Sequence, residues 1–260
     1  MKDMRIHLPR LLVLVLAFSF GITISASGAD FLDLFKSKKN PDQDGADAGI
    51  SLAALSQEQM VQGLKEALAK GVQHSITNLG REGGFLDNLD VKIPMPEQLS
   101  KVEKALRTLH QDQWADEFVA TMNRAAELAV PEAAAIFGDA IKNMTLEDAQ
   151  SLIRGKDDAA TQYFKRTGET RLREKMLPII QKTTEEAGVT ASYKKVMDHA
   201  SLATSLLKLN DDSLDVDRYV TRKATDGLFK MIAEEEKRIR QNPAARTTEL
   251  LKKVFGRSTQ

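Results

Sequence analysis

Apolar residues recur at intervals of three and four along most of this sequence from Ser56 onward, and that interval is the period of an α-helix. The pattern is clearest in the first helical stretch, where the recurring apolar residues are Met60, Leu64, Leu68, Val72, Ile76 and Leu79. No stretch alternates β-branched and aromatic residues as a strand does, and only 7 prolines and 15 glycines interrupt the 260 residues. We therefore predict an all-α fold, a compact multi-helix bundle of about eight to ten helices with short loops; a stacked helical array is the alternative.

Turn residues and capping residues predict where these helices begin and end. In chain order, the predicted boundaries are Gly80, Thr145, Gly155, Asp157 or Asp158, Asp215, Gln241 and Asn242. Gly168 and Pro178 are expected to break or kink the long helix that begins near Asp158. After the first helix, Pro94 and Pro96 favour extended backbone, so residues 91–96 are predicted to form an extended strap.

The first 29 residues have the layout of a secretory signal peptide. Basic residues precede an apolar run from Leu11 to Ile24, and small residues follow up to Ala29. That run is shorter than the roughly 20 residues of a membrane-spanning helix, so we expect cleavage after Ala29, or alternatively after Ala26, and no transmembrane helix afterwards. The predicted organisation is a cleaved signal peptide at 1–29, a flexible linker at 30–50, a single all-α domain at 51–257 and a tail at 258–260.

Charge, cysteine content and amphipathicity limit the partners of this chain. Loss of residues 1–29 leaves a net charge of about −2. Binding to nucleic-acid phosphates needs an excess of Lys and Arg, which this chain does not have, so no nucleic-acid partner is predicted. The absence of cysteine excludes disulfides, thiolate metal sites, a cysteine nucleophile and a lipid-modified cysteine anchor. The last predicted helix, residues 243–256, carries basic residues beside apolar ones, and we expect it to dock on the domain's own core rather than on a membrane surface.

No sequence motif indicates a catalytic centre or a metal site. The chain has no Gly-x-Ser-x-Gly elbow, phosphate-binding loop or dinucleotide-binding glycine pattern. His74, His110 and His199 are far apart, and none has the spacing that places two metal ligands on one helix face. The acidic tract 210–217 lacks the glycine and the closing glutamate of a calcium loop. We therefore predict no metal and no cofactor.

Charged residues within two predicted helices allow more than one interpretation. In an alanine-rich helix, Asn123, Arg124 and Glu127 lie on one face, where they form either a structural ion pair or part of a ligand cleft. Near the end of the chain, Glu236 and Arg240 have the spacing of a stabilising pair, and we interpret that charged stretch as a solvated helix face.

Several segments, taken in order, resemble one bacterial protein family. They are Gly63-Leu64-Lys65-Glu66-Ala67-Leu68, Ile93-Pro94-Met95-Pro96, Met122-Asn123-Arg124-Ala125-Ala126-Glu127, Asp157-Asp158-Ala159-Ala160-Thr161 with Tyr163-Phe164, and Ile239 to Thr247 with Val254-Phe255-Gly256. From about Ala53 to Gly256, the chain resembles the family named domain of unknown function 4197. The resemblance implies an exported helical protein of Gram-negative bacteria, and hence a periplasmic one. Family members often carry a lipobox cysteine, which this chain lacks.

The resemblance supplies no catalytic residues. The distinctive polar positions of the family correspond here to Asn123, Arg124, Glu127, Asp158, Tyr163, Arg240 and Arg246, which we predict to form a ligand-binding site or a polar network. The leading interpretation is a periplasmic binding or interaction module of the cell envelope, which holds an envelope protein or a small polar ligand.

Two alternatives stay open at the level of the sequence. The first is a hydrolase that uses Glu127 or Asp148 as general base, with Arg124 or Arg171 holding an anion. The second is a structural envelope protein that self-associates through an apolar helix face.

Overall fold

Seven α-helices pack around one apolar core in the computed structural model, which describes residues 57–186, 188, 191–192, 194–196 and 215–242. In chain order they are α1 (Gln57–Gly80), α2 (Ser100–Thr108), α3 (Asp112–Ala129), α4 (Ala133–Lys142), α5 (Leu146–Arg154), α6 (Ala159–Glu186) and α7 (Val216–Gln241). Two single-turn 3₁₀ helices, Glu97–Leu99 and Val130–Glu132, lead into α2 and α4. The described residues contain no strand, so the all-α prediction is confirmed, with seven helices in this part of the chain against eight to ten predicted for the whole.

The long helices α6 and α7 form the most extensively packed pair of the bundle. α6 also packs against α3 and α4, and α1 packs against α7 and α4. The ring of Phe137 on α4 lies 5.0 Å, between centroids, from that of Phe164 on α6 and 5.8 Å from that of Phe229 on α7. All three rings are buried, and tilted or edge-on contacts of this kind add to the stabilisation that burial provides. These aromatic contacts join three helices at the core.

Residues 92–96 of the predicted strap contain no helix, whereas Val91 lies in the turn before them, where its N–H donates to the Asn88 carbonyl at 3.1 Å. The first five residues of the strap alternate between the core and the solvent: Val91, Ile93 and Met95 are buried, and Lys92 and Pro94 are exposed. The apolar side chains of the strap therefore pack on the helices. No strand among the described residues lies beside the strap to form hydrogen bonds with its backbone N–H and carbonyl groups.

Helix α6 runs without interruption from Ala159 to Glu186, so neither Gly168 nor Pro178 breaks it, and of the predicted break or kink the break is wrong. Gly168 serves helix packing instead, because a Cβ there would lie 3.4 Å from Cγ2 of Ile136 on α4. Pro178 is exposed, so the carbonyl that its ring leaves without a helical partner can bond to water.

Several predictions concern residues outside the described ranges. These are the signal peptide at 1–29, the linker at 30–50, the last helix at 243–256, the tail at 258–260, most of the acidic tract 210–217, His199 and Arg246. Within the described ranges, no helix combines the length and the apolar content that crossing a membrane requires.

Candidate functional site

The polar residues predicted from the sequence lie in three separate places. The first place, on α3, holds Asn123, Arg124 and Glu127; the second, at the first turn of α6, holds Asp158 and Arg240; the third, a cleft beside α6, holds Tyr163. Arg246 is outside the described residues. The structure therefore divides the predicted set, and each place has its own chemistry.

The side chain of Asn123 forms hydrogen bonds to the backbone of the strap, which a neighbouring strand would form in a sheet. Its Oδ1 accepts from the backbone N–H of Ile93 at 2.8 Å, and its Nδ2 donates to the Ile93 carbonyl at 2.9 Å and to the Val119 carbonyl at 2.7 Å. Asn123 is fully buried. Because buried polar groups need hydrogen-bond partners, this amide holds the strap on α3.

Glu127 anchors the loop before the strap. Its Oε1 accepts from the backbone N–H of Phe85 at 3.2 Å, and its Oε2 lies 3.2 Å from Nη1 of Arg124. Glu127 is 2% exposed, whereas the side chain of Arg124 is 44% exposed. Of the two interpretations of these residues, the structure displays the ion pair, and both carboxylate oxygens are engaged by the protein itself.

The first turn of α6 is capped by a carboxylate from another helix. Oε1 of Glu236, on α7, accepts from the N–H of Ala160 at 2.8 Å, and Oε2 accepts from the N–H and the hydroxyl of Thr161, both at 2.9 Å. The first N–H groups of a helix have no partner within it, and its dipole favours negative charge there. Asp158 precedes the helix as predicted, but its side chain accepts from Gln162 instead.

Arg240 pairs with this capping carboxylate. Its Nε and Nη2 donate to Oε1 of Glu236 at 3.0 and 2.9 Å, and Nη2 also donates to the carbonyl of Leu152, near the end of α5, at 2.9 Å. The side chains of Glu236 and Arg240 are only 6% and 9% exposed. The predicted pair exists, but its interpretation as a solvated face is wrong, because the pair is buried where α5, α6 and α7 meet.

A polar cleft lies between the end of α4, the start of α5 and the N-terminal half of α6, and we call it the α4–α6 cleft. Its volume is about 380 Å³. The lining residues are Asp139, Ala140, Asn143, Asp148, Tyr163, Arg166, Thr167 and Arg171. With 3.6 residues per turn, Tyr163 and Thr167 lie in the middle of one face of α6, and Arg166 and Arg171 lie on either side of them.

The middle of this face is fixed by hydrogen bonds. The Tyr163 hydroxyl donates to the carbonyl of Ala140 at 2.9 Å, and the Thr167 hydroxyl donates to the carbonyl of Tyr163 at 2.8 Å. Burial raises the pKa of the Tyr163 hydroxyl above its usual value, and the charge of Asp148 acts in the same direction. The guanidinium of Arg166 lies 5.6 Å from the centre of the Tyr163 ring, within cation–π range.

Two ion pairs border the cleft, and both are long. Nη2 of Arg166 lies 3.7 Å from Oδ1 of Asp148, and Nη2 of Arg171 lies 3.4 Å from Oδ2 of Asp139. Strong charge-assisted bonds between such groups are about 2.7–2.9 Å long. The side chains of Arg166 and Arg171 are 69% and 59% exposed. Their guanidinium groups therefore keep N–H donors available to a ligand.

The two carboxylates of the cleft differ in their freedom. Oδ2 of Asp148 accepts from the N–H and the hydroxyl of Thr145, and the Thr145 hydroxyl accepts from the Asp148 N–H, which is the reciprocal capping box of α5. Within the described part of the chain, the Asp139 carboxylate pairs with Arg171 alone. Asp148 is thus part of a helix cap, whereas the Asp139 side chain is 55% exposed and, among the described residues, pairs only with this arginine.

Sequence reasoning named some residues of this cleft and missed others. Tyr163 was named as a family position, and Asp148 and Arg171 as members of the hydrolase alternative. The missed lining residues with polar side chains are Asp139, Asn143, Arg166 and Thr167. The spacing of the polar residues on α6 was the available signal, because positions i, i+3, i+4 and i+8 share one helix face.

A comparison with protein families decides the relationship suggested by the sequence. The family model described as Protein of unknown function (DUF4197) matches residues 54–256. The chain belongs to this family. All seven helices and every residue that lines the α4–α6 cleft lie within the DUF4197 match. Neither a curated protein nor a solved structure matches the chain.

Among the described residues, no group of three or more histidine or acidic side chains is arranged to hold a metal ion.

Proposed function

We propose that this DUF4197 protein is an exported, periplasmic domain that binds a small polar ligand in the α4–α6 cleft. The observation that carries the proposal is a polar cleft of about 380 Å³ bordered by two arginines whose ion pairs are 3.4 and 3.7 Å long. Its volume falls in the range of roughly 300–1,000 Å³ that is common for small-molecule sites. Rigid helices present the convergent polar groups, which favours a preformed site.

Binding accounts for the geometry better than hydrolysis does. Both oxygens of Glu127 are engaged, one by Phe85 and one by Arg124, and the residue is 2% exposed. Asp148 accepts two bonds from Thr145 through one oxygen and faces Arg166 with the other. A general base needs a free carboxylate oxygen within reach of the proton that it removes. Glu127 has no such oxygen, and Asp148 keeps only Oδ1, which lies 3.7 Å from Nη2 of Arg166. The geometry therefore supports a binding role more directly than a hydrolytic one.

The described surface does not favour self-association. Its exposed large hydrophobic side chains are Leu89, in the loop before the strap, Leu109, just after α2, and Leu146, at the start of α5. Single exposed apolar residues are ordinary on protein surfaces, and an association surface needs a contiguous patch. We therefore propose no second function from them.

The export part of the proposal rests on the basic start, the short apolar run and the small residues up to Ala29. Expression of the full chain with its own leader, followed by cell fractionation and intact-mass measurement, tests it. We expect a periplasmic form that begins at Asp30. An unprocessed protein in the cytoplasmic fraction would overturn this part alone.

Native mass spectrometry of the gently purified protein tests the binding part. We expect a small-molecule adduct on the wild-type protein that is lost in Arg166→Gln and in Arg171→Gln. Lys175→Gln is the matched control, because Lys175 is exposed on the same helix, carries the same charge and does not line the cleft. An adduct retained equally by all variants, or no adduct on any of them, would contradict the proposed site.

A further inference from the structure

We propose that the ligand of the α4–α6 cleft carries both a carboxylate and an ammonium group, as an amino acid or a short peptide does. The inference rests on the proposed function, since it names the ligand class of that same cleft. Its basis is the balance and the availability of the charges that border the cleft.

The cleft contains two arginines and two aspartates, so its net charge is zero. A dianionic ligand would pair with the arginines but would lie beside the charges of Asp139 and Asp148. A dicationic ligand would meet the opposite difficulty at Arg166 and Arg171. A ligand with one charge of each sign leaves every charge with a partner, which matters because partly desolvated charges without partners are costly.

One of the two ion pairs is placed to open for such a ligand. Arg171 and Asp139 are 3.4 Å apart, their side chains are 59% and 55% exposed, and within the described residues neither forms another ion pair. The ligand carboxylate would accept from Arg171, and the ligand ammonium would donate to Asp139. The exposed amide of Asn143 lies in the same cleft and can both donate and accept.

In the other ion pair, between Arg166 and Asp148, the aspartate is fixed by the fold. Asp148 is held by the capping box of α5, and the guanidinium of Arg166 lies over the ring of Tyr163. Arg166 can therefore direct spare donors to the ligand carboxylate without leaving its place, because a guanidinium carries five N–H donors. The arrangement orients the carboxylate toward α6 and the ammonium toward α4.

Isothermal titration calorimetry on the processed protein tests this assignment with one matched series. The probes are L-alanyl-L-alanine, its N-acetyl derivative, which lacks the ammonium, and its C-terminal amide, which lacks the carboxylate; free L-alanine tests the smaller ligand size. We expect each charge deletion to weaken binding by about tenfold or more, because a bound charge loses its partner. Lys175→Gln should bind all probes as the wild-type protein does.

Two variants connect each ligand charge to one residue. In Asp139→Asn, the dipeptide and its N-acetyl derivative should bind equally. In Arg171→Gln, the preference for the dipeptide over its amide should become smaller, and it should be lost when Arg166→Gln is added. Unchanged preferences in these variants, equal binding of all probes by the wild-type protein, or no zwitterion bound at about 10 mM would overturn the inference. If the adduct of the purified protein is still lost in Arg166→Gln, the proposed function stands while the ligand class fails; an adduct unaffected by Arg166→Gln and Arg171→Gln removes both.

Discussion

Oε1 of Glu236 lies 2.8 Å from the backbone nitrogen of Ala160, although the two residues are 76 positions apart and belong to different helices. The same carboxylate accepts from Thr161 and from Arg240. One buried side chain thus joins the start of α6 to the end of α7. Removing one partner of a buried ion pair is strongly destabilising, because the other charge is left without compensation.

Glu236→Gln is expected to lower the free energy of unfolding by about 2–4 kcal/mol. The uncharged glutamine leaves the charge of Arg240 without a partner, and its NH₂ group would face N–H groups that are themselves donors. Chemical denaturation measures the change. Glu234→Gln is the control, since Glu234 is exposed on the same helix and should change the value by less than about 0.5 kcal/mol. Equal losses in the two variants would contradict the capping role of Glu236.

Asn123→Ala is expected to destabilise the protein by about 2–4 kcal/mol, because the N–H and the carbonyl of Ile93 lose their buried partner. Hydrogen exchange should accelerate more at the Ile93 amide than at other buried amides. A general loss of packing would not accelerate exchange at this amide in particular. Asn78→Ala is a suitable control, because the Asn78 side chain pairs with the exposed His74. An Ile93 amide as protected as in the wild-type protein would refute this role.

Local features of the fold could be predicted from the sequence because local interactions determine them. Thr145 caps α5, and α7 ends at Gln241, both as predicted. The burial of Glu236 could not be predicted in this way, because its partners Ala160 and Thr161 come from a helix far away in the sequence. A run of charged residues looks like a solvated face until tertiary structure supplies such partners.

The candidate site shows the same limit. The shared face of Arg166, Thr167 and Arg171 on α6 is visible from their spacing. That Asp139 on α4 and Asp148 on α5 face these residues depends on how three helices pack, and helical spacing carries no information about that packing. The sequence analysis named Tyr163, Asp148 and Arg171, and only the structure brings them together with Asp139 and Arg166 in one cleft.

Two buried helical glycines are expected to respond to alanine in opposite directions. A Cβ at Gly227 would lie 2.9 Å from Cε1 of Phe85 and 3.2 Å from Cβ of Val91, so Gly227→Ala should destabilise the protein by about 1–3 kcal/mol. A Cβ at Gly71 would meet Cδ1 of Ile239 at 3.7 Å, an ordinary contact. Gly71→Ala should stabilise the protein by about 0.5–1 kcal/mol, because alanine is the better helix former. Denaturation midpoints that shift in the same direction would contradict this packing.

Tyr163 and Tyr219 are expected to ionise at higher pH than an ordinary tyrosine. Burial raises the pKa of both hydroxyls, which donate to the carbonyls of Ala140 and Pro94. The unfolded chain releases these protons near pH 10, whereas the native protein retains them to higher pH. Because the native state then holds more protons than the unfolded state, the free energy of unfolding should fall as the pH rises above about 10.

Titration of the tyrosinate absorbance measures this ionisation directly. The chain has 3 tyrosines, and Tyr163→Phe and Tyr219→Phe should each remove one equivalent from the late part of the curve. Denaturation at a series of pH values should show a shallower loss of stability above about pH 10 in each variant, since each removes one group whose pKa is raised by folding. Full titration of the native protein near pH 10, with no late equivalents, would show that neither hydroxyl is held as the structure indicates.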